Sequence, residues 1–118
     1  MWEIIFYNLS SGKHPVLEYL KKLDPRTKAK ATRALDLLEQ YGPAIGMPHV
    51  RILDSAVSLY ELRIPFGGQS HRILFFKDQN KLVLVHGFLK KSEKTPKKEL
   101  EIGINRTKDY LLRKGQKE

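Results

Sequence analysis

The sequence predicts an α+β fold: an antiparallel sheet with an N-terminal helical pair packed on one face and a further helix at the C-terminal end. Three observations carry this. The stretch Leu59–Pro96 is rich in Leu, Ile, Val, Phe and Tyr and reads as three antiparallel strands joined by tight turns. Gly67-Gly68 is a two-residue hairpin signal, because both central positions of a type I′ turn need φ > 0. Asp24-Pro25 and Thr95-Pro96 each set an N-cap residue before a proline at the first helical position.

Trp2–Tyr7 is apolar and β-prone, a first strand broken by Ser10-Ser11-Gly12. His14-Pro15 opens a short helix to about Leu23, with Val16, Leu17, Leu20 and Leu23 as its buried stripe. A second helix starts at Asp24 and runs to about Gln40, with Ala31, Ala34, Leu35 and Leu38 on its apolar face. Gly42-Pro43 ends it, a glycine cap followed by a residue that cannot continue the helix. Ala44–His49 connects to a short strand, Val50–Leu53. After the sheet, the last helix runs from Pro96 to about Arg113. Leu100, Ile104, Leu111 and Ile102 are its expected buried contacts, Gly115 its end, and the residues beyond are expected to fray.

The 118 residues suit one domain, 1–118, with a single core. At 41% hydrophobic and 30% charged residues the chain is globular rather than disordered. Its net charge of +9 favours nucleic acid, an anionic surface or an acidic protein partner. From Lys90 onward ten basic residues face five acidic ones, the most basic stretch of the chain. With no cysteine, disulfides and thiolate zinc sites are excluded. His14, His49, His71 and His86 lack metal-ligand spacing, so no metal or other cofactor is expected. No apolar run approaches a membrane span, and the opening MWEIIFYN does not read as a signal peptide, so the expected compartment is the cytoplasm.

A turn at Gly67-Gly68 sets the strand register. Leu62 then faces Ile73 and Tyr60 faces Phe75 on a core face, while Glu61 opposes Leu74 and Arg63 opposes Arg72 on the other. Two arginines directly across a strand pair repel, and an anion between them compensates, since guanidinium forks suit phosphate. Arginines on a solvated sheet face are the plainer alternative. A three-residue loop at Asp78–Asn80 sets His86 opposite Arg72, with Lys90 on the same face; a loop one residue different moves both across the sheet. With the helical pair on one face, the other is expected to be free: an apolar floor rimmed by Lys90 and Lys91, with Phe88 and Tyr60 nearby. Such a surface suits single-stranded RNA. Arg26, Lys28, Lys30 and Arg33 on the second helix are most simply a solvated face, or extend an RNA track.

The runs MPHVRIL (47–53), LYELRI (59–64), HRILFF (71–76) and above all LVHGFLKKSEKTP (84–96) closely resemble the RelE/HigB-like toxins of type II toxin–antitoxin modules, in the phage-derived RelE-like subgroup. The resemblance implies a RelE-like fold and an endoribonuclease (mRNA interferase) that cuts mRNA, usually in the ribosomal A site. It also implies a cognate antitoxin, here of helix-turn-helix type, through which operator DNA is contacted. The implied chemistry needs no metal: the ribose 2′-hydroxyl attacks the adjacent phosphate, with cations on the phosphorane and an acid and a base at the two oxygens. On this resemblance Arg63, Arg72, Lys90, Lys91 and His86 are the catalytic candidates. A lysine crowded by like charges has a depressed pKa and can act as base. Tyr60, His49, Phe88, Lys94, Lys97 and Lys98 are the RNA-contacting candidates. His86 or His49 can serve as acid or base, although a loop residue bonded to backbone is the plainer reading of His49. Pro96-Lys97-Lys98 stands where some relatives carry a catalytic tyrosine, and the terminal histidine–tyrosine pair of others is missing. A non-catalytic RNA- or ribosome-binding module and a degenerate toxin acting as antitoxin-bound co-repressor are the alternatives.

Overall fold

A computed structural model of the chain describes residues 1–91 and 94–117. Ser92 and Glu93, inside the His86–Pro96 motif, and Glu118 lie outside the described residues. The elements are β1 (Glu3–Phe6), α1 (Pro15–Lys21), α2 (Pro25–Tyr41), a 3-10 turn (Gly42–Ile45), β2 (Val50–Asp54), β3 (Leu59–Phe66), β4 (Gln69–Asp78), β5 (Lys81–Lys90) and α3 (Lys97–Lys117). They form one five-stranded sheet in the order β1-β5-β4-β3-β2; β1 runs parallel to β5 and the other neighbours are antiparallel.

Local chemistry accounts for the boundaries. The Asp24 carboxylate caps α2 by accepting from Thr27 N at 3.0 Å, with Pro25 at the first helical position as expected. Gly42, at φ 62°, ends α2, and its N–H bonds to the Leu38 carbonyl. Gly67 (φ 60°) and Gly68 (φ 78°) make the β3–β4 turn, and the register is the expected one, Arg63 facing Arg72 and Phe66 facing Gln69.

The two faces of the sheet bury different helices. On one, Leu62, Ile64, Ile73, Phe75, Leu82 and Leu84 pack against Val16 of α1 and Ala31 and Leu38 of α2. On the other, Leu59, Leu74, Phe76, Val83 and Val85 pack against Leu100, Ile104 and Tyr110 of α3. The second face, expected from the sequence to be free, is not: α3 covers the half that these apolar side chains occupy. Gly103 permits the approach, because a Cβ there would meet Leu74 Cδ1 at 2.8 Å. The α3 stripe runs through Gly103 and Thr107, both buried, and leaves Leu111 41% exposed, against expectation. The helix also continues through Gly115, where open space imposes no cap.

The β4–β5 connection departs from expectation twice. Asp78 pairs with Lys81, so the turn has two residues, Gln79-Asn80, rather than three. A bulge then inserts Val85, and His86 faces Leu74 instead of Arg72. The shorter loop alone would have moved His86 and Lys90 across the sheet; the bulge moves them back. Both stay on the Arg72 face, displaced by two positions, with Phe88 opposite Arg72 and Lys90 opposite Ser70.

Candidate functional site: a cationic cluster around a buried carboxylate

Alternation along β3 puts Glu61 and Arg63 on one face, and register adds Arg51 from β2 and Arg72 from β4. Glu61 is 0% exposed and is the hub. Arg72 Nη1 donates to Glu61 Oε1 at 3.3 Å, and Thr95 Oγ1 donates to Oε2 at 2.6 Å. Arg63 Nε lies 3.5 Å from Oε1, an ion-pair contact without hydrogen-bond geometry. The compensation expected from a bound anion is thus partly internal: one carboxylate serves two arginines.

Among the described residues, one carboxylate does not balance the group. Arg72 is 8% and Lys90 7% exposed, and the buried Arg63 Nε, Arg72 Nε and Lys90 Nζ have no hydrogen-bond partner among the described residues. Buried charged donors without acceptors are costly, and a tetrahedral oxyanion supplies acceptors of the right sign. Two clefts open onto the two arginines, and Lys90 is not among the residues that line either. One, of about 500 Å³, is lined by Arg51, Arg63, Arg72 and Lys94; the other, of about 220 Å³, by Pro48, His49, Arg63, Pro65, Ser70 and Arg72. Burial holds the Lys90 ammonium below the usual lysine range; Arg72, Arg63 and Arg51 push the same way and Glu61 opposes them. Burial also lowers Arg72, whose guanidinium still stays charged.

The expected site residues divide. Arg63, Arg72, Lys90, His49 and Lys94 converge on this end of the sheet, the exposed His49 in the smaller cleft and Lys94 in the larger. Phe88 lies across from Arg72 but is buried, its ring stacked on His86 at 5.4 Å. His86 itself is turned towards α3: its Nε2 is 3.3 Å from Glu99 Oε1 and its Nδ1 3.3 Å from Arg106 Nη1. Burial is the largest effect on the imidazole and lowers its pKa, against Glu99. Arginine has only donors, so Nδ1 accepts from Arg106 and Nε2 faces the carboxylate, a structural link between β5 and α3 rather than a group facing the clefts. Tyr60 is a correction. Its ring is on the helical-pair face, stacked on Phe75 at 5.4 Å, because it alternates with Glu61. Lys91, Lys97 and Lys98 are exposed and line neither cleft; Lys97 pairs with Glu101 at 3.9 Å.

Sequence reading missed Glu61, Thr95 and Arg51. Glu61 sits two residues from Arg63 in a strand, which signals a shared face. Thr95 reads as an N-cap, yet α3 begins at Lys97, with Leu100 N bonded to Pro96 O, and the hydroxyl serves Glu61 instead. Among the described residues no three His, Asp or Glu side chains gather to hold a metal, and no helix is long and apolar enough to cross a membrane.

Residues 18–108 match the family described as Phage derived protein Gp49-like (DUF891). No curated protein matches the chain. Among solved structures, a chain of the YoeB-YefM complex from Staphylococcus aureus superposes with a TM-score of 0.51 at 18% identity, over 74% of this chain and 94% of that one. With the family match spanning most of the sequence and the sheet and helices superposing in this way, the chain belongs to the Phage derived protein Gp49-like family and has a RelE/YoeB-type toxin fold.

Proposed function

We propose that this protein is the toxin of a toxin–antitoxin module and acts as a metal-independent endoribonuclease on mRNA held in the ribosome. The observation that supports the reading is the trio of buried cationic nitrogens on Arg63, Arg72 and Lys90 without a hydrogen-bond partner among the described residues, with two clefts open at the two arginines. The family, and a fold like that of a chain in the YoeB-YefM complex, support a small protein antitoxin as partner. That antitoxin is of the helix-turn-helix type and carries any contact with operator DNA.

In this reading the scissile phosphate lies against Arg63 and Arg72, whose guanidinium groups stabilise the negative charge of the phosphorane. Lys90, its ammonium disfavoured by burial, is the base that takes the 2′-hydroxyl proton. The oxygen so freed attacks the phosphorus, and the bond to the 5′-oxygen breaks. His49, exposed at the smaller cleft, donates a proton to that leaving oxygen. The products are a 2′,3′-cyclic phosphate and a 5′-hydroxyl. The ribosome holds the RNA in line for attack, which explains how so few acid–base groups suffice.

Induced expression of the wild type is expected to arrest growth, and co-expression of the antitoxin to relieve it. Arg72→Ala is expected to abolish the arrest while the purified variant keeps its circular dichroism spectrum. Transcripts bound but left uncut on translating ribosomes would replace the enzyme by a non-catalytic RNA-binding module. Equal cleavage of naked and ribosome-bound RNA would remove the ribosome from the mechanism.

A further inference from the structure

A second group of cations lies on the other side of the same hairpin. Arg26, Lys30 and Arg33 recur at helical spacing along α2 and, with Ala29 and Phe66, line a cleft of about 410 Å³. All three are exposed, and none makes an ion pair among the described residues. Their placement works against the helix. The first turn of α2 has no acidic residue, Asp24 is taken up by Thr27, and Arg26, in that turn, opposes the macrodipole. Arg26 and Lys30 at i,i+4, then Lys30 and Arg33 at i,i+3, also repel one another. Three like charges spaced over about 10 Å of helix track a phosphodiester backbone, and the half-buried Phe66 ring beside them offers a base a stacking surface. Pro65, next in the chain, lines the Arg63/Arg72 cleft on the opposite face. The two clefts are therefore separated by the hairpin tip at Gly67-Gly68.

We infer that Arg26, Lys30, Arg33 and Phe66 form a second RNA-binding surface, holding the nucleotides that flank the scissile phosphate as the same strand bends over the β3–β4 turn. The inference rests on the substrate reading above, and the test separates the two. The probes are 2′-O-methyl oligoribonucleotides, which cannot be cut by 2′-attack, of ~4 and ~12 nucleotides, the span of single-strand sites on small domains. The triple variant Arg26→Ala/Lys30→Ala/Arg33→Ala is expected to bind the short probe like the wild type and the long one at least ~10-fold more weakly. Its salt dependence should lose about 2 from the log–log slope, three phosphate contacts on a single strand. Phe66→Ala should weaken the long probe with the slope unchanged, since stacking carries no charge. Unaltered affinity of the triple variant for the long probe overturns the inference, as does equal loss on both lengths. Loss of ribosome co-sedimentation with long-probe binding intact assigns the row to the ribosome instead and also overturns it. Arg72→Ala is the separate arm: it weakens both probes if the catalytic cleft holds phosphate. If it changes neither while the triple variant loses the long probe, the catalytic reading fails and the α2 surface stands.

Discussion

The two cationic regions of this protein solve like-charge repulsion in opposite ways. At the sheet end, Arg72 and Lys90 are drawn out of water beside a half-buried Arg63, and a carboxylate, Glu61, is buried with them. On α2, Arg26, Lys30 and Arg33 stay in water with no acidic partner among the described residues, and solvent screens them. A buried charge must be paired or hydrogen-bonded, whereas an exposed one need not be. The buried group is consequently preorganised and suited to holding charge as it develops in a reaction. The exposed group contributes affinity that falls steeply with salt.

The contrast is sharpest at Glu61. Glu61→Leu strands the cluster without its counter-charge, and removing one partner of a buried ion pair costs about 3–5 kcal/mol. Denaturant melts are expected to show a loss of this order, and a loss below about 1 kcal/mol would mean that solvent already screens the cluster. Arg72→Ala is expected to lower the rate of RNA cleavage roughly 100- to 1,000-fold, as removal of one preorganised transition-state donor does. Thr95→Val deletes the hydroxyl that donates to Glu61 and should cost about 1.5 kcal/mol in the same melts. On α2 the sign reverses. Lys30→Glu turns its repulsion with Arg26 at i−4 and Arg33 at i+3 into attraction, so it should stabilise the protein by about 0.5 kcal/mol while weakening RNA binding.

The smallest expected effect is on pH. His71, hydrogen-bonded to the Tyr19 hydroxyl, and His86 are both held below the ordinary imidazole range, chiefly by burial. The unfolded chain then binds protons that the folded one resists. Stability is complete above the unfolded value of 6.5 and is lost as pH falls below it. Urea midpoints at about pH 7.5 and pH 5.5 check this, and replacing His71 by Asn should flatten part of the decline.

Local signals made much of this legible from sequence. Gly67-Gly68 set the Arg63/Arg72 register, and Asp24-Pro25 set the start of α2, because each depends on residues adjacent in the chain. What escaped depends on partners distant in sequence. The turn at Gln79-Asn80 and the bulge at Val85 each shift register by one residue, and apolar alternation does not reveal that two such shifts restore a face. Thr95 followed by proline has the form of an N-cap, and only the position of Glu61, 34 residues away, draws its hydroxyl elsewhere. The cover of α3 over the second face was foreshadowed by Leu59, Leu74, Phe76, Val83 and Val85, which no solvated face would carry.

The central claim is that the surplus positive charge around Glu61 acts on a phosphate undergoing transfer. It is tested most directly by mapping the 5′ ends of transcripts after brief induction, with the wild type beside Arg72→Ala. New ends bearing a 5′-hydroxyl, made by the wild type and missing with the variant, are the expected result. A wild type that yields no new ends, or a variant that yields as many, would contradict it.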